Sequence, residues 1–277
     1  MKLNALLKTL GFLALAAAPA VAGPSAPAPK NPVAPAPAVN DDLGITAGLG
    51  YHTNYVWRGL NIGQHWVDAS LAGAIPLVEG TRLAWDVNYG SLASDQSTFG
   101  GAANASFQRL QLGAALQHDI GAVTASLGYR YYRNMGTLNT LGGMRDGNEF
   151  SAGLATALGP INLASSANYD ISNASWYFDL DANTSISITD SISLVPFVNV
   201  GYGKNFGWQL TRNATNPTGW TAVTAGFRLP VKLNSRATLT PYIAVNSPLG
   251  QLDNSTVMPA NTTQAVVFGG VSLSVRF

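Results

Sequence analysis

The stretch Tyr51 to Gly63, YHTNYVWRGLNIG, sets a histidine, an asparagine and an arginine among three aromatic side chains within its first eight residues. Residues of these types can do general-base chemistry, provided the base lies within hydrogen-bond reach of the nucleophile it activates. The chain offers three histidines, His52, His65 and His118. In an extended chain His52 shares a face with Asn54 and could approach Ser70 on a following strand, the serine–histidine pairing that lipid-cleaving barrel enzymes use. His65 falls in a predicted loop, and His118 beside a predicted turn lacks a matching polar companion. Serine is common in this sequence, so proximity to one is weak evidence, and no catalytic residue is assigned. No His/Asp/Glu group has metal-ligand spacing. With no cysteine in the chain, disulfides, thiol chemistry and thiolate metal sites are excluded. No cofactor is expected.

The elements that position these residues begin with an unusual leader. Lys2 and Lys8 precede the apolar run LGFLALAAAPAVA, which closes on the small-x-small triplet Ala20-Val21-Ala22. That pattern reads as a secretory signal peptide over residues 1–22, because the run is shorter than the ~20 residues a spanning helix needs. Residues 23–42 follow as a Pro/Ala-rich linker. Gly23 to Asn40 carries six prolines, which favour an extended polyproline conformation. Removing Lys2 and Lys8 from fifteen basic residues leaves thirteen against fourteen acidic ones, a formal charge of −1. There is no basic field for nucleic acid. Only 10% of residues are charged, against about 25% in ordinary soluble domains. A secreted chain poor in charge and without a spanning helix points to a membrane β-barrel.

From Leu43 onward the pattern is alternation, the mark of strands whose two faces meet different surroundings. In Trp176 to Ile188, Trp176, Phe178, Leu180, Ala182, Ile186 and Ile188 share one face, and Tyr177, Asp179, Asp181 and Asn183 share the other. Twelve such segments are predicted: 43–58, 66–77, 82–91, 106–118, 122–133, 148–158, 161–171, 175–188, 191–203, 219–231, 236–247 and 264–277. Most are long enough to cross a bilayer when tilted, a crossing of about 9–11 residues. Every second connection is tight, as at Gly159-Pro160 and Thr189-Asp190. Most of the others are long and polar, although Gly59 to His65 and Ser172 to Ala174 are short. The expected fold is therefore all-β: a transmembrane antiparallel up-and-down barrel of about 12 strands over residues 43–277. It would sit in the bacterial outer membrane, with both termini periplasmic.

The polar faces supply a predicted lumen of balanced charge. Arg58, Arg82, Arg109, Arg130, Arg228 and Arg276 oppose Asp68, Asp86, Glu149, Asp170, Asp179 and Asp181. Six against six predicts weak ion selectivity, since a selective pore lines itself with one sign. Arg58 and Asp68 are a plausible pair across the first hairpin. Tyr51, Tyr55, Trp57, Tyr89, Tyr129 and Tyr131 are expected as an aromatic girdle at one membrane interface. Inward-facing Tyr132, Tyr177, Tyr242 and Trp66 could stack on carbohydrate or simply fill the lumen.

Asn54 to Gly59, NYVWRG, resembles the first-hairpin motif of the NYVFRG type in a bacterial outer-membrane β-barrel family whose activity is not established. ATLTPYIAVNSPL is similar to the penultimate strand of related proteins. The terminal Phe277 resembles the C-terminal signal of barrels inserted by the outer-membrane assembly machinery. These resemblances imply outer-membrane lipid and that machinery as partners, and they supply no substrate. Oligomeric state is not legible. The expected function is a narrow porin-like channel or binding barrel for small polar solutes. The alternatives are a closed structural or interaction barrel acting through its loops or linker and, less favoured, a lipid-modifying barrel enzyme.

Overall fold

A computed structural model describes residues 43–93, 105–137, 146–172, 174–206, 218–250 and 264–277. The expected signal peptide, 1–22, and linker, 23–42, lie outside the described residues. Twelve long strands run in sequence: β1 Ile45–Trp57, β2 Leu60–Val78, β3 Thr81–Leu92, β4 Gln108–Ile120, β5 Val123–Met135, β6 Gly147–Leu158, β7 Ile161–Asp170, β8 Ser175–Thr184, β9 Ser193–Lys204, β10 Gly219–Arg228, β11 Ala237–Pro248 and β12 Val266–Arg276. Two short ladder fragments, Ile186–Ser187 and Val231–Lys232, continue β8 and β10. Each strand pairs antiparallel with its sequence neighbours, and β1 pairs with β12 to close the barrel. Closure leaves no edge strand, which is the condition for a sheet to cross hydrocarbon.

Connections sort by length between the two ends. The tight turn after β2 and those after β4 and β6 lie at one end, together with Ile45 and Arg276. At that turn end Phe277 donates its backbone N–H to the Ile45 carbonyl (2.9 Å). The connections after β3, β5, β9 and β11 lie at the opposite, loop end.

Alternation explains why these residues form a wall. Leu112, Leu116, Leu127, Leu154, Leu180, Val198 and Val267 are exposed on the outer face. Between them, inward residues are small or polar: Ser126, Gly128, Asn162, Ser166 and Asn183 are half-buried in the lumen. Small inward residues also make room for larger neighbours. Trp66 lies flat where a Cβ on Gly90 would stand.

One boundary departs from the sequence reading. The second strand starts at Leu60 rather than 66, so residues 60–65 of the predicted loop are strand. The β1–β2 connection is only Arg58-Gly59, with φ of 52° and 84°. Positive φ at both central residues makes it a type I′ turn, the hairpin turn that matches strand twist.

The outward apolar band generates the first prediction. Leu154 is 55% exposed at mid-strand in β6. Leu154→Arg should cost about 2–4 kcal/mol in lipid, the range for a cation near the bilayer midplane. Denaturant unfolding of the liposome-embedded barrel measures it, and a cost near zero would place that face outside hydrocarbon.

Candidate functional site

The first hairpin leaves the wall. β1 pairs with β12 from Thr46↔Arg276 to His52↔Gly270. β2 pairs with β3 from Val78↔Thr81 to Trp66↔Leu92. Beyond these limits residues 53–65 enter no ladder with another strand among the described residues. They pair with one another, through Asn54↔Gln64, Tyr55↔Gly63, Val56↔Asn61 and Trp57↔Leu60. Two irregularities mark this free ribbon: a register slip half-way along it, between Tyr55 and Val56, and His65 at φ 56° at its base. Bulges bend a strand and increase its twist, and here the ribbon bends over the lumen. Its tip is among the most buried parts of the chain, with Leu60 at 1% and Ile62 at 0% exposure.

Opposite walls hold the tip. Arg58 donates to Glu149 on β6 through both terminal nitrogens, Nη1 to Oε1 at 2.5 Å and Nη2 to Oε2 at 2.8 Å. From β11, Asn246 Nδ2 donates to the Gly59 carbonyl at 2.9 Å. The Arg58 guanidinium also lies 4.5 Å from the Tyr177 ring centre and 4.9 Å from that of Trp57. A left-handed backbone at arginine costs roughly 1–2 kcal/mol. The bidentate contact to a buried carboxylate, among the strongest hydrogen-bonded pairs available, accounts for an arginine where asparagine or glycine is usual.

A second guanidinium completes the constriction. Arg109 donates to Asn134 Oδ1 (2.7 Å) and to the Tyr55 hydroxyl (2.9 Å). It lies 4.5 Å from the Trp57 ring centre, so Trp57 has an arginine near it from the wall as well as from the tip. Tyr55 stacks on Trp66 with ring centres 4.0 Å apart and planes at 11°. Tyr55, Trp57, Leu60, Ile62, Trp66, Phe107, Tyr177 and Phe206 belong to one buried cluster. Trp57 Nε1 and Arg58 Nε are buried donors with no hydrogen-bond partner among the described residues.

These placements correct two expectations. Arg58 pairs with Glu149, not Asp68, because the bend carries it over the lumen toward β6. Tyr55 and Trp57 are not girdle residues: at 6% and 4% exposure they pack inside, since both faces of a ribbon lying in the lumen meet protein. Asp68 instead accepts from His52 Nε2 (2.7 Å) and from Asn88 (3.2 Å). A carboxylate accepts only, so Nε2 donates to it, and Nδ1 makes its own hydrogen bond with the Tyr242 hydroxyl (2.8 Å). Both His52 nitrogens are therefore engaged, and Ser70 is not their partner. His65 contacts Tyr51 and His118 contacts Thr81.

The remaining lumen residues mostly meet close neighbours. Asp86 pairs with Arg130 at 3.1 Å and accepts from Gln111. Arg82 reaches Gln117 and Asp119 near the turn end. Asp179 accepts from Ser166 and Asn168, and Asp181 from Asn199. Arg228 lies over the Phe197 ring at 4.0 Å. Asp170, opposite Glu149 in register, accepts from the Ser172 amide at the β7–β8 turn. Arg276 sits at the turn end opposite Thr46.

Outside the barrel, Tyr51, Tyr89 and Tyr129 are exposed near the loop end. Tyr131 shares their face of β5 and reaches Asp146 (3.4 Å). The belt extends further than the six residues expected. Tyr169, Trp176, Phe178, Tyr202 and Trp220 follow in contact across β7–β10. Parity puts Tyr202 on the apolar face of its strand, whereas Trp220 has the parity of inward Arg228 and is turned outward by the register slip opposite Gly201 and Tyr202. The buried roles of Phe107, Phe206 and Asn246 have no comparable local signal, because the hairpin they contact is distant in sequence.

No family model and no curated protein matches the chain. Among solved structures it is similar to an outer-membrane channel from Pseudomonas putida F1, with TM-score 0.54 and 11% identity over 88% of this chain and 100% of that one. It is more loosely similar to the KdgM porin (TM-score 0.48, 8% identity, 84% and 99% covered). LpxR from Salmonella typhimurium is at a comparable level (TM-score 0.47, 6% identity, 84% and 100% covered). At such identity the likeness to the Pseudomonas channel is one of fold: this chain is a twelve-stranded barrel of the outer-membrane type.

Breaking a buried ion pair by removing one partner costs about 3–5 kcal/mol, because the other charge is left uncompensated. Arg58→Ala and Glu149→Gln should each destabilise the barrel by about that amount, and the double variant by less than their sum. Urea unfolding of the reconstituted proteins gives the cycle. Additive losses would mean that the pair is not coupled.

Proposed function

We propose that the chain is an outer-membrane channel or binding barrel for small polar solutes, weakly ion-selective, with the β1–β2 hairpin tip as its constriction. The observation that carries this reading is the contrast between the two halves of the lumen. Toward the turn end the inward residues include short, polar, half-buried side chains, as at Ser126, Asn162 and Asn183, beside the Arg82–Gln117 contact. Toward the loop end the lumen is filled by one ribbon that shares a β-ladder with the wall only through the continuation of its own two strands. Mutual pairing of lumen charges, Asp86 with Arg130 and Arg82 with Asp119, supports weak selectivity, because a paired charge presents little net sign to a passing ion.

The Pseudomonas neighbour is described as a channel, and the reading extends that activity to this chain. The termini are placed in the periplasm, with the assembly machinery and outer-membrane lipid as partners and Phe277 as part of the insertion signal. On this reading Asn54 to Gly59, the stretch that resembles the NYVFRG-type motif, forms the constriction itself. A second reading, a closed barrel acting through its loops, is favoured by one observation: the tip is fastened at both Glu149 and Asn246. A lipid-modifying activity finds less support, with His52 engaged at both ring nitrogens.

Liposome swelling across sugars, nucleosides and amino acids, together with planar-bilayer recording, separates these readings. Wild-type barrels should admit small polar solutes with little preference between anions and cations. Arg58→Gly keeps the left-handed turn while removing the guanidinium. It should raise the open fraction by about tenfold for each 1.4 kcal/mol of lost fastening. No openings and no uptake in either protein would sink the channel reading in favour of the closed barrel.

A further inference from the structure

We propose that Glu149, Tyr177 and Phe206 form a recognition cage for a flat cation of the guanidinium type. Arg58 fills this cage as an internal stand-in, and a guanidino solute takes its place when the hairpin lifts. The proposal rests on the solute-passage reading for its lifted state, and it names the solute.

The cage is complete without the hairpin. Glu149 projects from β6, Tyr177 from β8, and Phe206 follows β9. The Glu149 side chain is 3% exposed and presents both oxygens to the two terminal nitrogens of the guanidinium. A carboxylate set this way matches a planar two-donor cation, whereas an ammonium would meet it as a point charge. Tyr177 at 4.5 Å and Phe206 at 6.0 Å supply ring faces to the same cation, the arrangement that favours a desolvated cation over a neutral solute. Asp170, buried and opposite Glu149 in register, adds a second carboxylate to that wall.

The hairpin carrying the occupant can leave without unzipping the wall. Its ladder is its own from residue 53 to 65 among the described residues, its base is marked by the left-handed His65, and the Tyr55/Val56 slip lies between base and tip. Lifting the tip strips Glu149 of its cation and leaves a carboxylate facing aromatic rings. A cationic solute restores the pair. Because such a solute binds only the lifted form, it draws the population toward that form, and tip and solute compete for one carboxylate. An arginine held at positive φ on the turn is what an internal competitor requires: it fills the site from a backbone that a glycine would hold more easily.

Equilibrium dialysis of labelled guanidinium against the full-length protein in detergent tests the cage. Labelled urea is the isosteric neutral control, and unboiled gel mobility checks the fold. Arg58→Gly should bind guanidinium saturably and at least about tenfold more tightly than wild type, in which the cage is already filled. Urea should not saturate, and Arg58→Gly with Glu149→Gln should lose the binding. Equal binding by wild type and Arg58→Gly, equal binding of urea, or binding that survives loss of Glu149 would overturn the proposal. Should Arg58→Gly not fold, the wild type decides in a bilayer. Millimolar guanidinium, but not urea, raising the opening frequency supports the cage, and equal effects overturn it. Dialysis reads the cage without requiring passage, and swelling with sugars reads passage without the cage, so the two readings fail separately.

Discussion

In hydrocarbon every backbone N–H and C=O must find a partner within the sheet, and this wall meets that demand up to two positions, His52 against Gly270 and Trp66 against Leu92. What happens past those positions determines the character of the interior. There the two strands keep only each other, and a two-stranded ribbon bearing tyrosine, tryptophan, leucine and isoleucine turns toward protein. The outer wall and the inner constriction are thus one pair of strands under two environments. Below the departure point they are wall; above it they are core.

That division also decides what could be read from the sequence. Where lipid lies on one side and the lumen on the other, parity sorts residues correctly: Trp176, Phe178 and Leu180 point out, and Asp179 and Asp181 point in. Asn54 to Gly59 obeys no such rule. Tyr55 and Trp57 have the parity of lipid-facing residues, yet the bend gives both faces of the ribbon protein neighbours. Arg58 was legible as inward but not as the partner of Glu149. The pairing depends on the direction of a bend, and the bend depends on one slipped residue and one left-handed histidine. Glu149 likewise reads only as an inward acid, because its cation comes from 91 positions away.

Two kinds of polar interaction coexist in the lumen, and they do different things. Asp86 with Arg130, Asp179 with Ser166 and Asp181 with Asn199 join nearby strands of the wall and fix the shape of the barrel. Arg58 with Glu149 and Asn246 with Gly59 run between the wall and a segment that is not part of its ladder. Removing one of the first kind loosens a strand contact. Removing one of the second kind frees a segment.

The free ribbon also bears on the order in which the molecule is built. Its contacts with itself are short-range, and a hairpin of this kind closes in about 1–10 μs. The contacts that seat it span 91 and 187 residues, and pairings of such separation form late. The ribbon can therefore take its shape while β6 and β11 are still unplaced, and the wall then wraps around it. A ribbon that can form first would let closure enclose the interior rather than leave it to be filled afterwards.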